Sequence, residues 1–212
     1  NALIANHNGT RGAYINNCQL SGSDCTGLGA VTITGTTPNE FIDNGSDGLR
    51  ILAGGAITLT NLIASENVWA GIKVENDYTN VNANVTLNAN YVPPVGTFTN
   101  TVYKNSQVGI KIESNGAISV DKVIAEENVS YGMLLQNYLA SSAKPVLVKN
   151  SDALKTLASG SGIYIQSKGV VTLNNTAAYQ NTSHGLYVDN TSGSAGVIVT
   201  AAASKNFSDN SK

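Results

Sequence analysis

The chain has 212 residues, a net charge of −2 and only 12% charged side chains, about half the proportion usual in globular proteins. Apolar residues make up 42%, which excludes disorder driven by charge. The charges are scattered, so neither a basic nucleic-acid footprint nor a polyacidic tail is present. No apolar run reaches the roughly eighteen residues of a membrane-spanning helix, and there is no secretory signal. Surface polarity must come from uncharged groups, and 27 asparagines, with Thr, Ser and Gly, supply it. The first residue is Asn1 rather than Met, which reads as a processed product or an excised piece.

In chain order, the first unit opens at Asn8 and Gly12 and continues as the alternating run GAYIN. A loop CQLSGSDCTGLG follows, and then a second alternating run, AVTIT. Within that loop, Cys18 and Cys25 close a small ring as a disulfide in an oxidising compartment, or stand as two unpaired thiols. Neither flank looks like a zinc knuckle or a redox Cys-x-x-Cys. The second unit repeats the plan from Asn44 and Gly48 with GLRIL, a short AGG corner and AITLT. The third, from Asn67 and Gly71, has GIKVE, the loop NDYTNVNA, NVTLN and an insertion NANYVPPVG. The fourth is short again: Asn105, Gly109, GIKIE, SNG, AISVD. The fifth carries Asn128, Gly132, GMLLQ, the loop NYLASSAK and PVLVK. The sixth has Gly162, GIYIQ, SKG and VVTLN, with Ala158 where the Asn is expected. The seventh has Asn181, Gly185, GLYVD, NTSGSAG and GVIVT, and the chain closes with Asn206 in the Asn register and Asn210 in that of the Gly.

The aligned glycines are spaced 36, 23, 38, 23, 30 and 23 residues apart. A weaker third run precedes the Asn, as in LIASEN, TVYKN, VIAEEN and TAAYQN. Period-two alternation marks half-buried strands, and no helical period occurs. Three short strands per coil of roughly 20–30 residues predict a parallel β-helix: a single domain over 1–212, all-β and right-handed, with seven to eight three-stranded coils that alternate lean and loop-bearing. Stacked at about 4.8 Å, they make a rod on the order of 35 Å long.

The predicted inward row of the first strand is Ile15, Ile51, Val74, Ile112, Leu135, Ile165 and Val188. For the second strand it is Ile33, Leu59, Leu87, Val120, Val148, Leu173 and Val199. The Gly meets a corner that needs positive φ or no Cβ. The Ala of ASEN, AEEN and AYQN fits a narrow edge. The Asn adopts a left-handed corner and stacks into an amide ladder.

The lines GAITLTNLIASENVWAGIKVEN, GAISVDKVIAEENVSYGMLLQN and GVVTLNNTAAYQNTSHGLYVDN resemble repeats of the pectate-lyase-like superfamily. They are most similar to those of bacterial surface proteins and filamentous-haemagglutinin-like adhesins. The resemblance implies fold more than activity, since that superfamily holds lyases, hydrolases, epimerases and adhesins. Its hydrolases carry clustered aspartates and a His-Gly motif. Here Ser183-His184-Gly185 stands without an Asp-Asp pair, and His7 has still less to recommend it. Its lyases need a calcium cluster and a catalytic Arg or Lys, and Arg11 and Arg50 lie among no clustered acids. No catalytic residue, metal site or cofactor is assigned.

Two outward rows of the first strand remain as a binding candidate. One carries Tyr14, Arg50, Lys73, Lys111, Leu134, Tyr164 and Tyr187, the other Asn16, Leu52, Glu75, Glu113, Gln136, Gln166 and Asp189. Tyr14, Arg50, Lys73, Glu75, Lys111, Glu113, Tyr164 and Tyr187 are the candidate glycan contacts. Glu75 and Glu113 fall near the carboxyl separation of a retaining glycosidase, about 5 Å, or form a solubilising Lys/Glu ladder. Thr-x-Thr pairs at Thr32/Thr34 and Thr58/Thr60 suggest an ice-binding rank that decays further along. The longer loops are expected along one edge of the rod, where recognition tends to reside. The expected role is a non-catalytic structural or adhesive module, extracellular or on a bacterial surface, with glycans or a cell-surface receptor as partners. The alternatives are a carbohydrate-binding or polysaccharide-degrading domain and a filament subunit. Open ends, with Asn1 in the phase of Thr60 and Lys212 near that of Lys73, suit head-to-tail association or a longer parent.

Overall fold

The computed structural model describes residues 2–92, 96–97, 99–158, 160–200 and 207–211. Asn1, the two prolines of the insertion, Asn206 and Lys212 lie outside the described residues, and so do the expectations attached to them. Among the described residues there is no helix. The chain winds as a parallel β-solenoid with three sheets. The first sheet stacks Ala13–Asn17, Leu49–Ala53, Ile72–Asn76, Ile110–Ser114, Met133–Gln136, Ile163–Gln166 and Leu186–Asp189. The second stacks Val31–Ile33, Ile57–Thr60, Val85–Asn88, Ile118–Asp121, Val146–Lys149, Val171–Asn174 and Val197–Thr200. The third stacks Asn39–Ile42, Leu62–Ser65, Asn100–Tyr103, Val123–Glu126, Asp152–Leu154 and Ala177–Tyr179. Six turns therefore supply a strand to every sheet, fewer than the seven to eight expected. Among the described residues the seventh unit contributes strands to the first two sheets.

Parallel sheets usually read as continuous apolar runs because helices cover both faces. Here each sheet meets the core on one face only, so the strands alternate. Both predicted inward rows are in register, Ile51 against Val74 and Ile112 against Leu135 in the first sheet, Leu59 against Leu87 in the second. Most of these side chains are fully buried, each contributing about 1.5–3 kcal/mol. The third sheet has a narrower inward row: Phe41, Ala64, Val102, Ala125, Ala153 and Ala178. Alanine there lets the coil close tightly, as read from ASEN and AEEN.

The asparagine ladder is present, with a different register in one coil. Nδ2 of Asn8, Asn44, Asn67 and Asn105 each donates to Oδ1 of the next rung, ending on Asn128, at 2.9 Å throughout. In the sixth coil the slot is held by Thr156, not Ala158: Leu157 N donates to Asn128 O just as Val129 N donates to Asn105 O. Two extra residues before Gly162 shifted the count. Asn181 restarts the ladder and passes it to Asn210, again at 2.9 Å, so Asn210 is a ladder residue and not the counterpart of the glycine. Thr156→Asn is expected to join the two segments and raise stability by about 1 kcal/mol, measured as a higher urea midpoint.

The left-handed corner lies one residue earlier than expected. His7, Asp43, Glu66, Lys104, Glu127, Lys155, Gln180 and Asp209, each preceding a ladder position, have φ between 53° and 60°. The aligned glycines do not take positive φ; they are needed for space. A Cβ on Gly71 would sit 2.8 Å from Asn105 Nδ2 and 2.8 Å from Gly109 O. A second left-handed corner follows the second sheet at Asn61, Lys122, Asn150 and Asn175.

Candidate binding face and loop edge

The outward rows of the first sheet have the expected register: Arg50 beside Lys73, Lys73 beside Lys111, Glu75 beside Glu113, Tyr164 beside Tyr187. The side chains do not form one site. Arg50 grips Glu75 with Nε to Oε2 at 2.7 Å and Nη2 to Oε1 at 3.1 Å. Lys73 Nζ lies 3.3 Å from Glu75, and Lys111 Nζ lies 2.9 Å from Glu113. Burial pushes the Glu75 carboxyl up, but the Arg50 hydrogen bonds and the Lys73 charge outweigh it and hold the group below its ordinary value. The centre of the face carries the ion pairs Arg50–Glu75, Lys73–Glu75 and Lys111–Glu113.

Tyr14 is at one end of its row, with Arg11 5.0 Å from its ring centre. Tyr164 and Tyr187 are at the other end, stacked on each other at 4.9 Å and 15°. Tyr131 meets Tyr164 edge-on at 5.4 Å, and His184 meets Tyr187 edge-on at 5.3 Å. The inner faces of the tyrosine pair are therefore occupied by each other. Beside it runs an amide chain, Gln136 donating to Gln166 and Gln166 to Asp189. The His184 ring lies 3.2 Å from Ser183 Oγ through its Nδ1; His7 is exposed and faces Asp43 at 2.9 Å. Thr60 is buried and bonds Asn88 Oδ1, so the Thr-x-Thr rank is not a flat outward lattice. Among the described residues no group of three or more His, Cys, Asp or Glu is placed to hold a metal.

The loops do fall on one edge, between the first and second sheets at every second coil. Each loop-bearing coil has Asn at the exit from the first sheet, and each lean coil has Ser or Ala. The order is Asn17, Ala53, Asn76, Ser114, Asn137, Ser167, Asn190. Nδ2 of Asn17 bonds Gly29 O at 2.7 Å and that of Asn137 bonds Lys144 O at 2.8 Å, so the amide ties the base of its own loop. In the lean coils the hydroxyls of Ser114 and Ser167 accept from Gly116 N and Gly169 N, both at 3.0 Å. This alternation is visible in the sequence and was not used in reading it. Cys18 and Cys25 are joined as a disulfide with Cα atoms 5.2 Å apart, within the usual span. Their loop is bonded to that of the third coil through Cys25 N to Asn80 Oδ1 at 2.9 Å and Asn80 Nδ2 to Cys25 O at 2.8 Å.

No protein family, curated protein or solved structure matches this chain. Its likeness to pectate-lyase-like and adhesin repeats thus stands at the level of the solenoid fold.

One feature of the edge escaped the sequence reading. A small cleft of about 20 Å³ is lined by Asp77, Glu113, Ser114, Gln136, Tyr138 and Leu139. Burial, and then the Glu113 charge, raise the Asp77 carboxyl above its ordinary value. Burial also pushes the Tyr78 hydroxyl up to about 12, with Glu75 and Asp77 adding to it. A carboxyl with a raised folded pKa contributes stability that is complete below its unfolded pKa and lost as pH rises through the folded one. Asp77→Asn is therefore expected to raise Tm at pH 7 by about 1–2 °C and to leave it unchanged below pH 4, as scanning calorimetry across pH would show.

Proposed function

We propose that this chain is a non-catalytic structural and adhesive module of a bacterial extracellular or surface protein: a stiff rod that displays loops along one edge. The observation that carries this reading is the alternation of loop-bearing and lean coils. Three of the four loops are tied at their bases by the amides of Asn17, Asn137 and Asn190, and the first is closed by a disulfide, on a scaffold whose outer strand face carries ion pairs. Loops on a rigid frame are suited to recognition, and a disulfide suits an oxidising compartment.

The test compares the chain with a variant whose loop 137–144 is replaced by the three-residue Ser-Asn-Gly corner of the fourth coil. The readouts are a glycan array and binding to intact cells. Binding that the variant loses while keeping its Tm supports the reading. Release of reducing sugar or unsaturated uronate from polysaccharides, abolished by Glu75→Gln or Glu113→Gln, overturns it in favour of an enzyme. A carbohydrate-binding role is the second reading. It is favoured by the tyrosine column and its adjoining Gln136–Gln166–Asp189 chain, which offer hydroxyls and amides to sugar hydroxyl groups.

A further inference from the structure

The corner between the third and first sheets carries a strip unlike the outward rows described above. Two columns follow the ladder asparagines around it. One holds Gly45, Val68 and Ser106, the next Ser46, Trp69 and Gln107. The backbone fixes their register. Val68 N donates to Asn44 O at 3.0 Å and Trp69 N to Ser46 O at 3.2 Å. On the other side Ser106 N donates to Asn67 O at 2.9 Å and Gln107 N to Trp69 O at 3.2 Å. None of these six residues is charged. In the first sheet the outward side chains pair with one another, as Arg50 does with Glu75 and Lys111 with Glu113.

Trp69 is the only tryptophan of the chain. It is 52% exposed, and Val68 beside it is 51% exposed. The neighbouring coils place Ser46, Gln107 and Ser130 in the same slot, so the fold requires no aromatic ring there. Among the described residues the indole has no ring or cation partner. Its surroundings are low on one side, because Gly45 has no side chain and a Cβ there would collide with Gly9 O. The side chains of Ser46, Ser106 and Gln107 make no hydrogen bond within the chain among the described residues. Two hydroxyls and an amide therefore flank the ring with their donors and acceptors available.

A half-exposed ring edged by free, uncharged donors and acceptors matches one ligand chemistry. The C–H groups on one face of a pyranose carry partial positive charge and lie flat against the negative face of an indole. The ring hydroxyls of the sugar reach sideways to hydroxyls and amides. We propose that Trp69 is the stacking platform of a subsite for neutral glycans, with Ser46, Ser106 and Gln107 bonding the hydroxyls of the stacked sugar. With no cation in either column, the subsite favours a neutral sugar over a uronate. It lies on a different corner from the loop edge, which runs between the first and second sheets, and is independent of what the loops bind.

The test uses Trp69 as its own reporter. Cello-, xylo-, manno- and galacto-oligosaccharides are titrated into the 212-residue chain, with tryptophan emission and its quenching by acrylamide as readouts. Oligogalacturonate and phosphatidylcholine vesicles are the comparison ligands. A saturable blue shift with loss of quenching is expected from a neutral oligosaccharide, and not from oligogalacturonate or vesicles. Calorimetry with the same sugar should show the affinity falling about tenfold in Trp69→Ser and largely recovered in Trp69→Phe, which keeps a ring face. Serine already fills this slot in a neighbouring coil, so an unchanged Tm is expected and separates binding from folding. Replacing loop 137–144 should leave the titration unaltered, which distinguishes this subsite from the loop edge. Emission that responds to none of the neutral sugars overturns the proposal. Sugar binding that survives in Trp69→Ser overturns it equally and moves the sugar to another face. A shift produced by vesicles alone overturns it in favour of a lipid surface.

Discussion

Replacing Asn105 by alanine is expected to destabilise the fold by about 4 kcal/mol, a large part of the 5–15 kcal/mol typical of a domain. The side chain accepts from Asn67 N at 3.1 Å and from Asn67 Nδ2 at 2.9 Å. It donates to Ala64 O at 3.0 Å and to Asn128 Oδ1 at 2.9 Å. All of these residues are fully buried. Truncation leaves donors on one side and acceptors on the other without partners, each costing about 1–3 kcal/mol. The urea midpoint measures the loss, and one below about 1 kcal/mol would show that the ladder is ornamental. Asn105→Asp discriminates further. The carboxyl keeps the acceptor role but faces Ala64 O and Asn128 Oδ1, so its folded pKa rises above the unfolded value of about 3.9. Stability then remains below that pH and is lost as pH rises through the folded pKa, so this variant should be firmer at pH 4 than at pH 7.

Gly109→Val is expected to exceed that loss, by more than about 4 kcal/mol, and to yield little folded protein. A Cβ there would sit 2.6 Å from Gly132 O and 2.7 Å from Asn128 Nδ2. Neither atom can retreat: one is backbone of the next rung, the other a ladder donor. Gly9 is the control, since a Cβ there meets nothing within 4 Å, and Gly9→Ala should change the circular-dichroism melting curve by less than about 1 °C. Equal effects at Gly9 and Gly109 would mean that the repeat glycines act through chain flexibility and not through close approach.

The sequence carried the register well because three signals coincide in each coil: the Gly, the strand alternation after it, and the Asn before it. That is why Ile15, Ile51 and Val74 could be placed over one another before any coordinates. Where a coil changes length the signals separate. Counting back from Gly162 gives Ala158, while the backbone places Thr156 in the slot, because the two inserted residues are absorbed after it. The left-handed corner was assigned to the Asn since Asn tolerates that conformation, yet the residue that adopts it is Lys104 or Glu127 in the coils concerned. Charged residues carry no such signature, so only the backbone shows it. The candidate face was read as continuous because its rows are. What divides it is side-chain pairing, Arg50 with Glu75 and Tyr164 with Tyr187, and pairing depends on rotamers the row does not specify. The Asp77 cleft joins residues from three successive coils across a loop, with no pattern to announce it.

The interruption at Thr156 has a dynamic consequence. A solenoid's cohesion is a sum over neighbouring rungs, so the weakest junction sets where it first comes apart. Five asparagines bind the N-terminal rungs into one amide column, whereas beyond Thr156 the side-chain amides form a single pair, Asn181–Asn210, with Thr156 N donating to Asn181 Oδ1 at 3.2 Å. Under native conditions the C-terminal coils should peel away as a unit, exchanging their amide protons well before those of Ile51 or Ile112. The molecule would then behave as a zipper with a preferred direction of opening.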